Sequence, residues 1–173
     1  MQRRAVIITA QGFQDEEFVY PYYRLIEAGF SVDVATKNKI AVFGKFGVPA
    51  RPTISTNELK AENYELVLLP GGFEAPDRVR LLPEVLEFIR QMDQQKKLIA
   101  AICHGPWILI SAEITKGRKM TAYWSIETDI RNSGAIYYHK APVVIDGNLI
   151  TSPHYNNNGD FMRTVVAYFE KEK

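Results

Sequence analysis

The segment Leu98-Ile99-Ala100-Ala101-Ile102-Cys103-His104-Gly105-Pro106 joins a short apolar run to a cysteine and a Gly-Pro pair. Five apolar residues without polar alternation are typical of a strand covered on both faces of a parallel sheet. Proline is favoured in the first turn of a helix, so a helix is expected to begin at Pro106. The segment therefore predicts a strand, a tight turn at Cys103 and a helix.

The same alternation of strand and helix continues on both sides of this segment. Further buried or alternating strands are predicted over residues 5–9, 31–36 and 66–69, with helices over 15–28, 83–95, 126–132 and 159–170. A glycine-punctuated hairpin or an excursion from the sheet is expected over residues 40–50, a short strand over 120–123 and a hairpin over 143–151. Strands separated by helices predict one α/β domain over residues 1–173, with a mostly parallel sheet between two helical layers.

Composition excludes several classes of protein. The formal net charge of +1 and a charged fraction of 24% give no field that would attract nucleic acid or an anionic membrane surface. The apolar run near the N-terminus is too short for a signal peptide or a membrane-spanning helix. We therefore expect a cytoplasmic protein with neither nucleic acid nor membrane as a partner.

Cysteine and histidine usage predicts that no metal or other cofactor is bound. A single cysteine allows neither an internal disulfide nor a zinc site made of several thiolates. The three histidines, His104, His139 and His154, do not have the spacing of metal ligands.

Three polar segments follow the ends of predicted strands, at residues 10–17, 70–77 and 103–107. Ligands of parallel sheets bind beyond the carboxyl ends of the strands, so these segments are expected to line one crevice. Within it, Cys103 is the candidate nucleophile. It lies near a helix N-terminus, which favours the thiolate, and it has the small residues Ala101 and Gly105 two positions away on either side, as a nucleophile elbow requires. The alternative is a packed structural cysteine.

The neighbouring candidates are ambiguous when only the residues are considered. His104 is either a base acting on substrate or a polar residue at a helix N-terminus. Glu17 could exchange a proton with the thiol, but three consecutive acids in a helix's first turn, Asp15 to Glu17, are the simpler interpretation. Backbone N–H groups at Gly72 and His104 could form an oxyanion hole, although Gly71-Gly72 also suits any tight turn.

These motifs together resemble the ThiJ/PfpI family over nearly the whole chain, most specifically at Ala101-Ile102-Cys103-His104-Gly105-Pro106, and in its PfpI branch. Supporting motifs are Asp15-Glu16-Glu17 with Tyr20-Pro21, Leu69-Pro70-Gly71-Gly72, Ala75-Pro76-Asp77-Arg78-Val79-Arg80, Leu109-Ile110-Ser111 with Lys116-Gly117-Arg118-Lys119, and Asp146-Gly147-Asn148 with Thr151-Ser152. The resemblance implies a flavodoxin-like three-layer sandwich of the class I glutamine amidotransferase type.

The resemblance also assigns roles to residues. It implies that Cys103 is the nucleophile and that Glu17 is the acid hydrogen-bonded to it, and it makes Gly72 and His104 the oxyanion donors. Asp77 matches the position of an acid that orients His104 from a neighbouring subunit, which implies a homodimer or a higher homo-oligomer. Tyr123 matches a pocket tyrosine.

The chain departs from the PfpI pattern at three positions. Gln14 stands where an acid is usual, Pro153 where an arginine contributes to an anion-binding pocket edge, and Glu127 where a basic residue is usual. We expect these changes to alter which substrates the pocket accepts, with Gln14 and Tyr123 among its lining residues. Trp124 is either a further aromatic wall beside Tyr123 or a core residue. His154, in the altered loop after Pro153, is either a polar contact of the pocket or a surface histidine.

Three functions are compatible with these motifs and are ranked in order. The first is a cysteine enzyme acting on reactive carbonyls, as in glyoxalase III and deglycase reactions, with a small aldehyde or its adduct as substrate. The second is a PfpI-type intracellular cysteine peptidase. The third is a redox sensor or stress chaperone in which Cys103 is oxidised without turning over a substrate.

Overall fold

A computed structural model describes residues 2–170, and this part of the chain contains eleven strands. The strands, β1 to β11 in chain order, are Arg4–Ile8, Ser31–Thr36, Val42–Phe43, Pro49–Ala50, Ile54–Ser55, Leu66–Leu69, Leu98–Ile102, Lys119–Met120, Ile136–Tyr137, Val144–Asp146 and Leu149–Ser152. Seven of them form the main sheet in the order β10-β11-β7-β6-β1-β2-β5. Only β10 runs antiparallel to its neighbour, so the predicted, mostly parallel sheet is confirmed.

Six α-helices occur in the same residues. In chain order, α1 to α6 are Asp15–Glu27, Ala75–Val79, Pro83–Gln94, Pro106–Ser111, Glu127–Asn132 and Asn158–Tyr168. Short 3₁₀ turns lie at Lys37–Lys39, Thr56–Glu58, Ala61–Asn63, Trp124–Ile126 and Tyr155–Asn157. The helices predicted at Pro83 and Pro106 begin at those prolines, because proline lacks an N–H that the first turn would leave unpaired.

Alternate residues of the central strands point into two apolar cores, one on each face of the sheet. On one face Val6 and Ile8 of β1 belong to the same core as Phe88 of α3, together with residues of α4 and α5. On the other face Ile7 belongs to the same core as Phe161 of α6, together with residues of α1. Burying each large apolar side chain contributes roughly 1.5–3 kcal/mol, so the three-layer sandwich follows from the apolar strands.

The carboxyl ends of β1, β6 and β7 lie side by side in the sheet. The segments that follow them are the three that the sequence predicts to converge. The nucleophile candidate follows β7, the Gly-Gly pair follows β6, and the acidic start of α1 follows β1. This topology therefore brings together residues that are far apart in the chain.

The strand predicted over residues 120–123 is wrong beyond Met120. The Thr121 N–H donates to the Thr151 hydroxyl at 2.9 Å, and the Tyr123 N–H donates to the Cys103 carbonyl at 2.9 Å. These bonds use the N–H groups that a strand would need for its ladder. The two-residue strand β8 instead pairs in parallel with β9 in a separate small sheet.

The predicted hairpin is confirmed as β3 and β4, and a buried acid holds its turn. The Asp15 carboxylate accepts hydrogen bonds from the N–H groups of Phe46 and Val48, each at 2.9 Å. The Lys45 N–H donates to the Phe13 carbonyl at 2.8 Å. These bonds tie the hairpin turn to the start of α1, beside the carboxyl ends of the strands.

None of the helices within residues 2–170 combines the length and the apolar character needed to cross a membrane.

We predict that Asp15→Ala lowers the free energy of unfolding by about 1–3 kcal/mol, because it removes a buried carboxylate that accepts two hydrogen bonds from the hairpin turn. Chemical denaturation measures this change. Glu27→Gln is the matched control, since Glu27 is a largely exposed acid at the other end of the same helix. Equal stability of the parent and Asp15→Ala would contradict the prediction.

Candidate active site

Cys103 occupies a strained turn directly after β7. Its backbone φ is +61°, in the left-handed region that costs a non-glycine residue about 1 kcal/mol or more. The Cys103 N–H donates to the Ser152 carbonyl at 2.9 Å, its carbonyl accepts from the Tyr123 N–H at 2.9 Å, and the Gly105 N–H donates to the Ile102 carbonyl at 2.8 Å. The tight turn expected from the sequence is confirmed, and three segments hold it in place.

Two glycines allow the neighbouring backbone to approach this turn. A Cβ atom at Gly71 would lie 2.6 Å from Cys103 Cβ and 2.6 Å from Glu17 Oε2. A Cβ atom at Gly105 would lie 2.4 Å from the Leu69 carbonyl oxygen. Both distances are shorter than real Cβ contacts, so a side chain at either position would push apart the strand ends that carry the thiol and the acid.

Glu17, on the first turn of α1, has no solvent exposure. Its Oε2 accepts a hydrogen bond from the Gly71 N–H at 2.7 Å, while Oε1 is buried without a hydrogen-bond partner among the described residues. Burial raises the pKa of Glu17 from its usual 4.5 to about 8, against the opposing effects of the Gly71 N–H and the Cys103 thiol. The carboxyl is therefore protonated at neutral pH. Glu17 is thus not simply one of three ionised acids in the first turn of a helix, which was the simpler interpretation of the sequence.

The thiol of Cys103 is 7% exposed and does not have the lowered pKa expected from its place before a helix. Burial is the largest cause that raises its pKa, followed by the negative charge that Glu17 carries when ionised. The N–H groups of Gly72 and His104 act in the opposite direction. The six-residue helix α4 does not outweigh the loss of solvent around the sulfur.

Glu17 and Cys103 therefore form a coupled pair that disfavours two adjacent negative charges. While Glu17 holds a proton, its repulsion of a thiolate is absent and its O–H can donate to sulfur. The pair holds two protons when both groups are neutral, and it readily loses only one of them. The thiolate forms when a base removes the thiol proton while Glu17 keeps its own.

His104 is the base candidate that lies next to the sulfur. Its Nδ1 is 3.2 Å from Cys103 Sγ, and its Nε2 is 3.3 Å from the Ser125 hydroxyl oxygen. The imidazole stacks on Tyr123 with 4.9 Å between ring centroids and meets the edge of Trp107. Burial lowers the pKa of His104, partly opposed by the charge of Asp129, so the ring is neutral at pH 7 and able to accept a proton.

The proposed oxyanion donors also lie at the sulfur. The backbone N–H groups of Gly72 and His104 both interact with the Cys103 thiol. Gly72 has a φ of +111°, a conformation that favours glycine. The two N–H groups come from the ends of β6 and β7, so their convergence depends on the pairing of these strands.

A crevice of about 290 Å³ opens over the sulfur. It is lined by Gln14, Lys45, Phe46, Gly72, Phe73, Cys103, His104, Tyr123, His154 and Tyr155. Gln14 and Tyr123 line the crevice as expected from the sequence. Trp124 does not: it stacks behind Tyr123 at 3.9 Å between ring centroids and lines an adjacent hollow with Pro153. Tyr123 occupies the crevice wall on that side, with Trp124 packed behind it.

Gln14 and Glu127, two of the departures from the PfpI pattern, lie in different places relative to the crevice. The Gln14 amide donates to Glu16 Oε2 at 2.7 Å, so this amide is held at the crevice by an acid from the next turn. Glu127 lies outside the crevice at the start of α5, where it pairs with Arg131 and with His139 at 3.1 Å. The negative charge of Glu127 is therefore balanced by its neighbours and is not added to the crevice.

The crevice also contains two lining residues from the hairpin turn, which the sequence analysis did not name, and it decides between the two interpretations of His154. Lys45 and Phe46 occupy the turn of the β3–β4 hairpin, and the flanking glycines Gly44 and Gly47 were the only sequence signal for an exposed turn there. His154 contributes to the crevice and stacks on Tyr155 at 3.9 Å, so it is not the isolated surface histidine of the alternative interpretation.

Asp77 lies on the exposed side of α2, and no hydrogen bond or ion pair within residues 2–170 involves its carboxylate. A contact between Asp77 and His104 would have to come from a second subunit, which is what the family resemblance implies. No cluster of three acid, histidine or cysteine side chains suitable for a metal ion occurs among these residues.

The chain is similar to one known protein family in its sequence and in its fold. A family model for the DJ-1/PfpI family matches residues 3–168. The Deglycase PfpI of Pyrococcus furiosus is 39% identical over 94% of this chain and 97% of its own length. The Bacillus subtilis protein named "Putative cysteine protease YraA" is 34% identical over 88% of this chain and 89% of its own length. A crystal structure from Anabaena variabilis, of a protein with DJ-1/ThiJ/PfpI-like and ferritin-like domains, superposes with a TM-score of 0.93 at 33% identity, covering 98% of this chain and 48% of that longer one.

We predict that Glu17 makes the protein less stable as the pH rises from about 5 to 8. The folded state keeps the Glu17 proton up to a pKa of about 8, whereas the unfolded chain loses it near 4.5. Stability from this group is therefore complete below pH 4.5 and is lost as pH rises through the folded pKa, by up to about 1.4 kcal/mol per pH unit.

The measurement is chemical denaturation of the parent and of Glu17→Gln at several pH values. Subtracting the two curves cancels the contributions of groups common to both proteins, including His104. The parent should lose stability relative to Glu17→Gln with rising pH. A difference that stays constant from pH 5 to 8 would show that Glu17 is ionised throughout.

Proposed function

The chain belongs to the DJ-1/PfpI family, and on that basis we propose that it is a cysteine enzyme acting on small reactive carbonyl compounds. Methylglyoxal, and the hemithioacetal or aminocarbinol that it forms with thiols and amines, represent the substrate class. In this proposal Cys103 is the nucleophile, and Glu17 and His104 move protons.

The observation that carries the proposal is the protonated Glu17 beside the Cys103 thiol, at the base of a crevice of about 290 Å³. Ligand pockets for drug-sized molecules begin at roughly this volume, so a few-atom carbonyl fits. A carboxyl with a pKa near the working pH can give a proton to a carbonyl oxygen and then take one from carbon.

The first step forms a carbon–sulfur bond. As the thiol proton passes to His104 Nδ1, 3.2 Å away, the sulfur attacks the aldehyde carbon. The carbonyl electron pair moves to oxygen, which takes a proton from Glu17 or His104. Backbone N–H groups of Gly72 and His104 stabilise the negative charge that develops on this oxygen.

The remaining steps consume one water molecule. A base removes the hydrogen from the sulfur-bearing carbon, and a proton returns to the neighbouring carbon. The hydroxyl proton on the sulfur-bearing carbon passes to the oxygen of the neighbouring carbon, which leaves a lactoyl thioester on Cys103. Water then cleaves the carbon–sulfur bond to give lactate and the free thiol. Methylglyoxal plus water equals lactic acid, so the sequence needs no external oxidant or reductant.

The same first step serves a deglycase, in which the attacked carbon already carries an amine or thiol. The name of the P. furiosus relative supports this reading. The YraA name supports a peptidase instead. The crevice of about 290 Å³ favours a small substrate over an extended peptide.

A redox-sensing role is less favoured by the geometry. Oxidation by peroxide needs an accessible thiolate. Cys103 is 7% exposed, and burial raises the pKa of its thiol, so both requirements are poorly met in the free protein.

We predict that Cys103→Ala and Cys103→Ser each lower methylglyoxal consumption, measured without glutathione, by at least about a hundredfold. The serine hydroxyl does not ionise near neutral pH, so it does not replace the thiol. Glu17→Gln should lower the rate by about tenfold. Glu87→Gln, on an exposed face of α3, is the control and should match the parent.

Peptide hydrolysis is followed in parallel with the same variants. A Cys103→Ser protein that consumes methylglyoxal at the parent rate would exclude the proposed reaction. Peptide hydrolysis that depends on Cys103, with no methylglyoxal loss, would replace the proposal with a peptidase. A thiol that gains two oxygens under mild peroxide, without turning over either substrate, would favour the sensor.

A further inference from the structure

Lys45 is the only permanently charged side chain that lines the crevice in the described part of the chain. Within residues 2–170, no carboxylate forms an ion pair with its ammonium group. Its contacts are with aromatic rings instead: Lys45 Nζ lies 5.3 Å from the centroid of the Phe46 ring and 5.8 Å from that of Phe73. These cation–π contacts hold a positive charge at the exposed edge of the crevice.

Phe13 fixes the position of Lys45 relative to the sulfur. The Lys45 N–H donates to the Phe13 carbonyl at 2.8 Å, and Phe13 also forms a β-bridge with Gly72. Gly72 supplies one of the two N–H groups at the Cys103 thiol. The backbone of the hairpin turn is thus held beside the oxyanion donors, and the flexible lysine stem lets the ammonium group reach a ligand bound there.

The acids around the crevice do not neutralise this lysine. Gln14 lines the crevice at a position where an acid is usual in the PfpI pattern, and its amide is uncharged. The Glu16 carboxylate accepts from that amide at 2.7 Å and does not line the crevice. Asp15 is buried and accepts hydrogen bonds from the hairpin turn. The Glu17 carboxyl keeps its proton at neutral pH, because burial raises its pKa to about 8.

The other titratable side chains of the crevice add no charge at neutral pH. Burial lowers the pKa of both His104 and His154, and it raises the pKa of the Cys103 thiol. Pro153 stands where an arginine is usual, and it lines the adjacent hollow. The crevice therefore carries a positive charge that comes from the β3–β4 hairpin alone, with no acid among its described lining residues.

We propose that Lys45 determines specificity by pairing with a carboxylate on the substrate, so that the crevice selects carbonyl compounds that carry a carboxylate group. This assignment rests on the proposed cysteine chemistry and narrows its substrate class. Carboxyethylglyoxal, which is methylglyoxal with a carboxyethyl group in place of the methyl group, represents the class. Its aldehyde carbon would bond to Cys103 while its carboxylate pairs with the Lys45 ammonium group.

The reaction of this substrate needs the same atoms as that of methylglyoxal. Sulfur attacks the aldehyde carbon, a base removes the hydrogen from that carbon, and a proton returns to the ketone carbon. The hydroxyl proton of the sulfur-bearing carbon passes to the ketone oxygen, and water cleaves the thioester. Carboxyethylglyoxal plus water equals α-hydroxyglutarate, so no oxidant or reductant is required. The carboxylate forms no bond in these steps, so Lys45 acts on binding.

The first test uses two alkylating reagents that differ in charge. Iodoacetate carries a carboxylate and iodoacetamide a neutral amide, and each forms a carbon–sulfur bond with release of iodide. Each rate reports Cys103, because the chain has one cysteine. The ratio of the two rates at one neutral pH cancels any change in the thiolate fraction or in access to the sulfur. A substitution that acts only on the structure therefore leaves the ratio unchanged.

Lys45→Gln should lower the iodoacetate-to-iodoacetamide ratio by about fivefold, which is the effect of a solvent-exposed ion pair. Lys45→Arg keeps the charge and should keep the ratio within about twofold. Lys60→Gln is the matched control, since it removes the same charge from an exposed position before β6, and it should leave the ratio unchanged. Added salt should lower the ratio in the parent and not in Lys45→Gln.

The second test compares carboxyethylglyoxal with its uncharged methyl ester as substrates. The parent should have a kcat/KM about fivefold higher for the acid, mainly through a lower KM, because the ion pair is present before and during the reaction. Lys45→Gln should remove this preference, and Lys45→Arg should retain it.

An alkylation ratio that is the same in the parent and in Lys45→Gln would overturn the inference, and this is also the result expected if an acid from a second subunit neutralised Lys45. Equal kcat/KM for the acid and the ester in the parent would overturn it as well. If the parent consumes neither methylglyoxal nor carboxyethylglyoxal while the alkylation ratio depends on Lys45, the proposed carbonyl chemistry fails and carboxylate recognition by Lys45 is supported.

Discussion

The left-handed backbone turn at Cys103 is the constraint on which the site depends. A non-glycine residue adopts φ +61° only when its surroundings hold it there, and here the holders are β11, residue Tyr123 and the start of α4. Because the turn is tied to each of them, it also sets the distances between the sulfur and the groups they carry. The close approach at Gly71 and Gly105 then brings the ends of β6 and β7 to the thiol. The geometry of the candidate site and the backbone strain therefore depend on the same turn.

Burial gives this site its chemical character. In a position with almost no solvent, Glu17 and Cys103 cannot both carry a negative charge, so they share a proton. A thiol whose pKa is raised by burial is a poor nucleophile until a base removes its proton. In the proposed reaction, Glu17 and His104 are the proton donor and the base beside this thiol.

Elements outside the sheet determine the entrance to the site. Asp15 anchors the β3–β4 hairpin, whose turn residues Lys45 and Phe46 border the crevice. On the opposite side His154 and Tyr155 stack on one another beside Tyr123. The parallel sheet supplies a scaffold shared with the DJ-1/PfpI family, while these two loops carry residues that distinguish one crevice from another. Substrate selection is therefore expected to depend on the loops.

The sequence by itself determined the mostly parallel sheet, the elbow and its nucleophile candidate. These depend on residue types within short segments: an apolar run makes a buried strand, and glycine and proline set the turn and helix that follow. The family resemblance added the role of Glu17, which local pattern alone did not favour. Only the tertiary structure decided that Asp15 is an anchor, that Trp124 lies outside the crevice, that residues 121–123 leave their strand and that Ser125 meets His104. These features depend on contacts between segments that are far apart in the chain, or on which acceptor a backbone N–H group binds. A local sequence pattern contains neither kind of information.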